Sequence, residues 1–250
     1  MKLQLIRNAT LRINYADHLF VIDPYLADKQ TLPSYAGKSK NPLVDLPCPP
    51  EAVIADAEMV IVSHLHGDHF DASAQNLLPK ALPIFCQPGD EGQIQEKGFE
   101  AVTPIEDQIN WQGLEITRKP GQHGVEADVL ALLGNVSGFV FQAPGEPKVY
   151  WAGDTIWYDP VAQVIEQHQP DIIVTHSCGA VWGDSEPIVM DAAQTIQVCQ
   201  AAPNSIVIAV HMEALDHATV SREMLREQAD AAGIAADKLL IPSDGETLTF

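Results

Sequence analysis

The stretch Met59-Val60-Ile61-Val62-Ser63-His64-Leu65-His66-Gly67-Asp68-His69-Phe70 decides how this chain is read. Met59–Val62 is short, apolar and β-branched, which predicts a buried strand, because it is too brief for a helix. Ser63 ends it, and four potential metal ligands follow within six residues: His64, His66, Asp68 and His69. Residues two apart on extended backbone point the same way, so His64 and His66 are expected to grip one ion. Gly67 is expected to turn the backbone, placing Asp68 and His69 on a second. A lone loop histidine is ordinarily just solvated; four ligands crowded behind one buried strand are a metal-binding pattern.

Working outward, the same arrangement recurs. Leu19–Asp23, Lys148–Ala152, Asp171–Thr175 and Ser205–Val210 read as strands, and each runs into or ends beside a polar group: Asp23, Asp154, His176 and His211. His123 follows the strand Leu114–Arg118 by a few residues, in Gly121-Gln122-His123-Gly124. Strand ends meeting at one edge of a layered fold are where ligand sites form. The donors are imidazoles and carboxylates, which suit zinc, iron or manganese; magnesium and calcium prefer oxygen shells. Seven groups exceed one tetrahedral ion and fit two ions that share a carboxylate.

The rest of the chain frames these groups. Lys2–Ile6 and Thr10–Tyr15 precede the Leu19 strand, with Ala16-Asp17-His18 as a hairpin turn that leaves His18 exposed. Helices are expected over Asp71–Lys80 with Asp71 as its cap, Pro88–Lys97, Pro160–Gln169, Asp191–Ala202 and Ser221–Ala232. His168 is read as a cation at a helix terminus. Two halves of similar strand and helix content predict an α/β protein with two sheets face to face and helices outside. Tyr25–Pro50 lacks periodicity, holds five prolines and the lysines Lys29, Lys38 and Lys40, and is expected to be a lid or substrate loop facing an anion.

Composition bounds the function. The formal net charge of -20 argues against a nucleic-acid or anionic-membrane partner, since both require a basic face. No run approaches the ~18 apolar residues of a membrane span, and the alternating N-terminus lacks a signal-peptide core, so a cytoplasmic location is expected. Cys48, Cys86, Cys178 and Cys199 form no CxxC pair and read as reduced thiols, with Cys178 close enough to His176 to raise a metal role.

His64-Leu65-His66-Gly67-Asp68-His69 matches HxHxDH, and the chain resembles the metallo-β-lactamase-fold hydrolases along its whole length. His123, Asp154 and His211 follow in that superfamily's order, and Asp23 resembles its structural aspartate. The long early loop and His211-Met212-Glu213-Ala214-Leu215 are most similar to its ascorbate-6-phosphate lactonase-like branch. The resemblance implies a four-layer αββα sandwich of two mixed β-sheets, formed as one domain over residues 1–250 with the lid at 25–50. It implies one metal on His64, His66 and His123, a second on Asp68, His69 and His211, and Asp154 bridging them. The expected cofactors are two divalent ions, zinc first, with manganese or iron as alternatives. The implied activity is attack by a metal-bridging hydroxide, oriented by Asp68, on a small polar or anionic ester, lactone or phosphoester. His176 is read as a catalytic contact or proton donor, or as a structural histidine behind the metals. Trp157, Tyr158 and Trp182 are candidates for the pocket wall or for core packing. A small-molecule substrate is the expected partner, and a homo-oligomer is compatible with the composition. The competing readings are a nuclease of the same fold, a non-catalytic metal-binding protein and a redox diiron protein; flavodiiron relatives have an acid where this chain has His66, which weighs against the last.

Overall fold

The computed structural model describes Met1–Phe250. Three strands open the chain, β1 (Lys2–Arg7), β2 (Thr10–Tyr15) and β3 (His18–Ile22). They are antiparallel and joined by tight turns. After the irregular stretch, α1 (Pro50–Ile54) leads into β4 (Met59–Val62), α2 (Ala72–Leu77), β5 (Ile84–Cys86), α3 (Glu91–Glu96) and β6 (Val102–Pro104). The second half repeats this plan. Antiparallel β7 (Gln108–Trp111), β8 (Leu114–Pro120) and β9 (Ser137–Gln142) come first, with α4 (Ala127–Leu133) between the last two. Then come β10 (Val149–Trp151), α5 (Asp159–His168), β11 (Ile172–His176), α6 (Ala192–Ala201), β12 (Ile206–Val210), α7 (Arg222–Ala231) and β13 (Leu239–Leu240). Finally β14 (Thr247–Thr249) returns to pair with β1.

Two seven-stranded sheets result, ordered β14-β1-β2-β3-β4-β5-β6 and β13-β12-β11-β10-β9-β8-β7. Each is antiparallel on one side and parallel on the other. The parallel strands are apolar on both faces, because each sheet lies between the other sheet and a layer of helices. In β4, Met59 and Ile61 enter the core between the sheets, where they join Phe20, Phe139, Trp151 and Val174. Val60 and Val62 face outward against Val53, Ala74 and Ile94 of the helices. In β12, Ile208 and Val210 point inward, while Val207 and Ala209 pack under Val161, Val198 and Leu225. This is the four-layer αββα sandwich. Its crossovers bring the ends of β3, β4, β8, β10, β11 and β12 to one edge.

Local expectations hold with some corrections. Asp71 caps α2 by accepting from Ala74 N at 2.8 Å. The helix expected from Pro88 begins only at Glu91, after a turn. Helices α1 and α4 have no counterpart in the sequence reading. His18 is not an exposed turn residue: it starts β3, bonds Glu58 at 3.0 Å and packs edge-on against Trp111. His168 ends α5, but burial and the charges of Lys119 and Lys148 lower its pKa. The cation at that terminus is Lys148, whose Nζ donates to His168 O at 2.9 Å. All four cysteines are free.

The stretch from Tyr25 to Pro50 carries one isolated bridge, Leu32 to Asn41, before α1 begins. Buried Arg7 ties down its start by donating to the carbonyls of Tyr25, Ala27 and Val44 at 2.8–3.1 Å. Of its lysines, Lys29 stands 3.8 Å from Asp45. The anion this loop encloses is the protein's own Asp216. That carboxylate accepts from the backbone N–H groups of Tyr35, Ala36, Lys38 and Ser39 at 2.9–3.3 Å, from Asn41 Nδ2 at 3.1 Å, and from the Ser34 hydroxyl.

Candidate metal centre

Asp154 stands at the middle of the cluster. It leaves β10 through Gly153, whose φ of +71° and lack of Cβ are both required, since a Cβ would lie 2.7 Å from Ser137 O and the Trp151 ring. Asp154 Oδ2 lies 3.1 Å from His69 Nε2, 3.5 Å from His123 Nε2 and 3.8 Å from His64 Nε2. Its Oδ1 lies 2.5 Å from His176 Nδ1 and 3.6 Å from His211 Nε2. Two groups with metal-ligand spacing therefore share this carboxylate: His64, His66, His123 and Asp154, and His69, Asp154, His176 and His211.

Most rings in the cluster have one nitrogen tied back to the protein. His69 Nδ1 bonds Asp23 Oδ2 at 2.7 Å, His123 Nδ1 donates to Ile188 O at 2.8 Å, and His66 Nε2 donates to Leu133 O at 3.0 Å. His64 Nδ1 meets Ser63 Oγ at 2.9 Å, and His211 Nδ1 meets Cys178 Sγ at 3.4 Å. Such outer contacts fix ring orientation and aim the other nitrogen inward. Cys178 thus touches the back of His211. His64 Nε2 is buried with no hydrogen-bond partner, which a metal ion would supply. Asp23 and His211 both hold left-handed backbone, φ +47° and +62°, directly after their strands. Strain at a non-glycine residue persists where surrounding structure over-determines it, and it concentrates at working sites.

Charge divides the cluster in two. Burial holds His64 and His66 below the ordinary histidine range and pushes His123 and His176 down to about 4. Burial alone would lower His69 as well, but Asp154, Asp68 and Asp23 raise it to about 10. His211 is raised against its burial, first by Asp154. Burial opposes ionisation of Asp68 and Asp154; the His69 charge overcomes this and holds both below the usual carboxylate range. His69 and His211 are thus the two imidazoles of the cluster favoured in the charged form, beside Asp68 and Asp154.

Of the residues singled out from sequence, His64, His66, His69, His123, Asp154 and His211 converge. Asp68 sits on the rim of the second group, its Oδ2 3.2 Å from His211 Nε2 and 3.5 Å from His69 Nε2. His176 closes that second group. It is fully buried behind Asp154 and edge-on to Trp151, away from the cavity wall, so a direct substrate contact is replaced by a hold on Asp154. Gly67 needs no left-handed backbone; it lines the cavity, and a Cβ there would lie 3.5 Å from Tyr35 Oη. Trp182 reaches the cavity wall, while Trp157 and Tyr158 pack beneath the helices.

The cavity over the cluster has a volume of about 230 Å³. Its floor includes His66, Asp68, Asp154 and His211, and its apolar wall includes Leu132, Leu133, Ala180, Trp182, Ile188 and Val189. Neither lysine nor arginine lines it. Sequence reasoning missed Tyr35 and His217, which also line the wall. The irregular loop was the only hint for Tyr35, and His217 lies beyond the strand-end pattern.

Two stacked mixed sheets carrying a His/Asp cluster at one edge define the metallo-β-lactamase class of metal-dependent hydrolases. The profile of the beta-lactamase superfamily domain matches residues 18–212, and the chain belongs to that family. It is 38% identical to the UPF0173 protein YddR of Bacillus subtilis, over all of both chains. Among solved structures it resembles an isothiocyanate hydrolase from Delia radicum gut bacteria, at 38% identity and a TM-score of 0.93, covering 100% of this chain and 99% of the other. It also resembles a possible metal-dependent hydrolase from Veillonella parvula, at 32% identity and a TM-score of 0.96, with the same coverage.

Proposed function

We propose that this protein hydrolyses a small uncharged electrophile with an apolar tail, of the isothiocyanate, ester or lactone kind. The observation that carries this is the cavity: a carboxylate and imidazole floor under an apolar wall with no cationic side chain. An anionic phosphoester would find no lysine or arginine there, and the net charge of -20 opposes a nucleic-acid substrate. The full-length likeness to an isothiocyanate hydrolase supports the same class. Addition of water to the central carbon of R–N=C=S gives a thiocarbamic acid, which separates into the amine and carbonyl sulfide.

His64, His66 and His123 would hold one divalent ion and Asp68, His69 and His211 another, with Asp154 common to both. Zinc suits this set best, and manganese or iron also fit it. Such ions lower the pKa of a bound water toward ~7 and polarise the electrophile. The chain's own residues orient and exclude. Asp23, Ile188 O and Leu133 O fix three rings. His176 holds Asp154. Asp68 lines the cavity and is the carboxylate placed to orient the attacking water and take its proton. Leu132, Trp182 and Ile188 bury the apolar tail and keep bulk water from it.

The test is a panel assayed with zinc-, manganese- and iron-loaded protein: benzyl isothiocyanate, phenyl acetate, a γ-lactone and bis(p-nitrophenyl) phosphate. Turnover of the uncharged electrophiles, lost on chelation, is expected. Turnover of the phosphodiester alone would overturn the proposal.

A further inference from the structure

We propose that His217 hydrogen-bonds the electrophile's heteroatom inside the cavity that the metal-ligand groups also line. The inference rests on the hydrolytic reading above for the kind of electrophile. Three observations converge on this residue.

First, the imidazole is only 6% exposed and lines the same cavity as Asp68, Asp154 and His211. Neither of its ring nitrogens bonds to the protein, and Nδ1 is buried without a partner. All six histidines of the two metal-ligand groups have at least one nitrogen tied down. A buried polar group left free requires an explanation; Nε2 is unbonded too but is not sealed off like Nδ1, so it is the nitrogen left to face a ligand in the cavity that the ring lines.

Second, the residue is held from both sides although its ring is free. Its carbonyl accepts from Val181 N at 3.2 Å. Its neighbour Asp216 is gripped by the amides of the 35–39 segment. That grip also sets Tyr35, whose ring meets His217 edge-on at 5.0 Å and whose hydroxyl lies 3.5 Å from Asp68 Oδ1. A fixed donor aimed at a site of developing charge is what stabilises a transition state, because it needs no reorganisation when the reaction occurs.

Third, His217 belongs to neither metal-ligand group. An imidazole offers one N–H, which suits the sulfur, nitrogen or oxygen that gains negative charge as water adds to the adjacent carbon. The apolar tail then lies along Leu132 and Trp182.

His217→Ala, His217→Gln and wild-type protein, all metal-loaded, decide the matter. N-Benzylthiourea serves as an unreactive probe for calorimetric binding, alongside metal analysis and turnover of benzyl isothiocyanate. The Ala variant is expected to keep wild-type metal content, to lose at least tenfold in probe affinity, and to lose about 100-fold in kcat, the scale of one oxyanion donor. The Gln variant, which retains a side-chain N–H, is expected to recover part of both, and it alone decides if the Ala variant does not fold. Wild-type probe affinity and kcat in His217→Ala would overturn the proposal, as would loss of metal from both variants. If wild-type protein binds the probe through His217 but hydrolyses nothing, the hydrolytic reading falls and the contact stands. If wild type hydrolyses and both variants match it, only the contact falls.

Discussion

Asp23 and His69 are joined by a 2.7 Å hydrogen bond although one directly follows β3 and the other lies in the loop after β4, and both side chains are fully buried. Asp23 Oδ1 and Oδ2 also accept from Ser63 N and Ser63 Oγ, each at 2.7 Å. One carboxylate therefore orients His69 directly and His64 through Ser63. Asp23→Asn is expected to lower metal affinity by about 10–100-fold, the usual scale for such supporting contacts. Competition against a chromophoric chelator measures this, and unchanged affinity would remove Asp23 from the metal centre.

His66 is the candidate ligand least enclosed by protein, anchored through Leu133 O. His66→Ala is expected to lose metal and hydrolytic activity together. Two metals per chain in that variant, counted by elemental analysis, would refute its assignment.

Metal uptake is expected to release protons. His69 is raised to about 10 and His211 is raised in the same direction, so both are charged at pH 7 in the metal-free protein. A charged imidazole has no lone pair for a metal, so binding must displace its proton. Titration calorimetry at pH 7 in buffers of different ionisation enthalpy should show a buffer-dependent heat. A flat dependence would mean that these rings are already neutral.

Stability of the metal-free protein should peak near pH 6–7. His123 and His176 fall from 6.5 to about 4 on folding, so their contribution is present above 6.5 and lost as pH falls toward 4. His69 rises to about 10, so its contribution is full below 6.5 and lost as pH climbs through 10. Metal binding removes the His69 proton and should flatten the alkaline arm while raising Tm throughout. Melting curves across pH, with and without a chelator, read both effects; an alkaline arm of equal slope in the two forms would contradict the charge assignment.

The Asp216 clasp predicts a stability change away from the metals. Asp216→Ala leaves several N–H groups without an acceptor, at a cost of about 1–3 kcal/mol. It should also raise KM, since Tyr35 and His217 lose their common anchor. The native carboxyl is held below the usual range by the Ser34 hydroxyl and the surrounding amides, against its burial. This support is therefore full above about pH 4 and lost as pH falls below it. A denaturation midpoint and KM matching wild type would show that the loop holds itself.

Strand ends were legible because their signals are local. Apolar runs such as Met59–Val62 and Ile206–Val210 are buried on both faces, and a polar residue directly after one announces the sheet edge. The lysines of residues 25–50 suggested an anion-facing loop, yet none of them lines the cavity, while Tyr35 of the same loop does. A backbone N–H holds an anion as well as an ammonium does, and sequence does not show where amides converge. Helix α4 was missed because Ala127–Leu133 is short and lies on no strand boundary, although Leu132 and Leu133 line the cavity.

What the sequence by itself determined is the set of candidate ligands and the layered fold, since both follow from residue type and period along the chain. Which carboxylate is shared, which histidine stands behind it and which face the substrate were decided only by tertiary structure. Asp154 serves two groups because the crossovers bring six strands to one edge, and His176 is withdrawn because Trp151 and the sheet cover it. His217 and Asp216 are adjacent in sequence, yet one opens onto the cavity and the other is gripped by a loop about 180 residues earlier. No local pattern encodes that difference, because it depends on contacts between segments far apart in the chain.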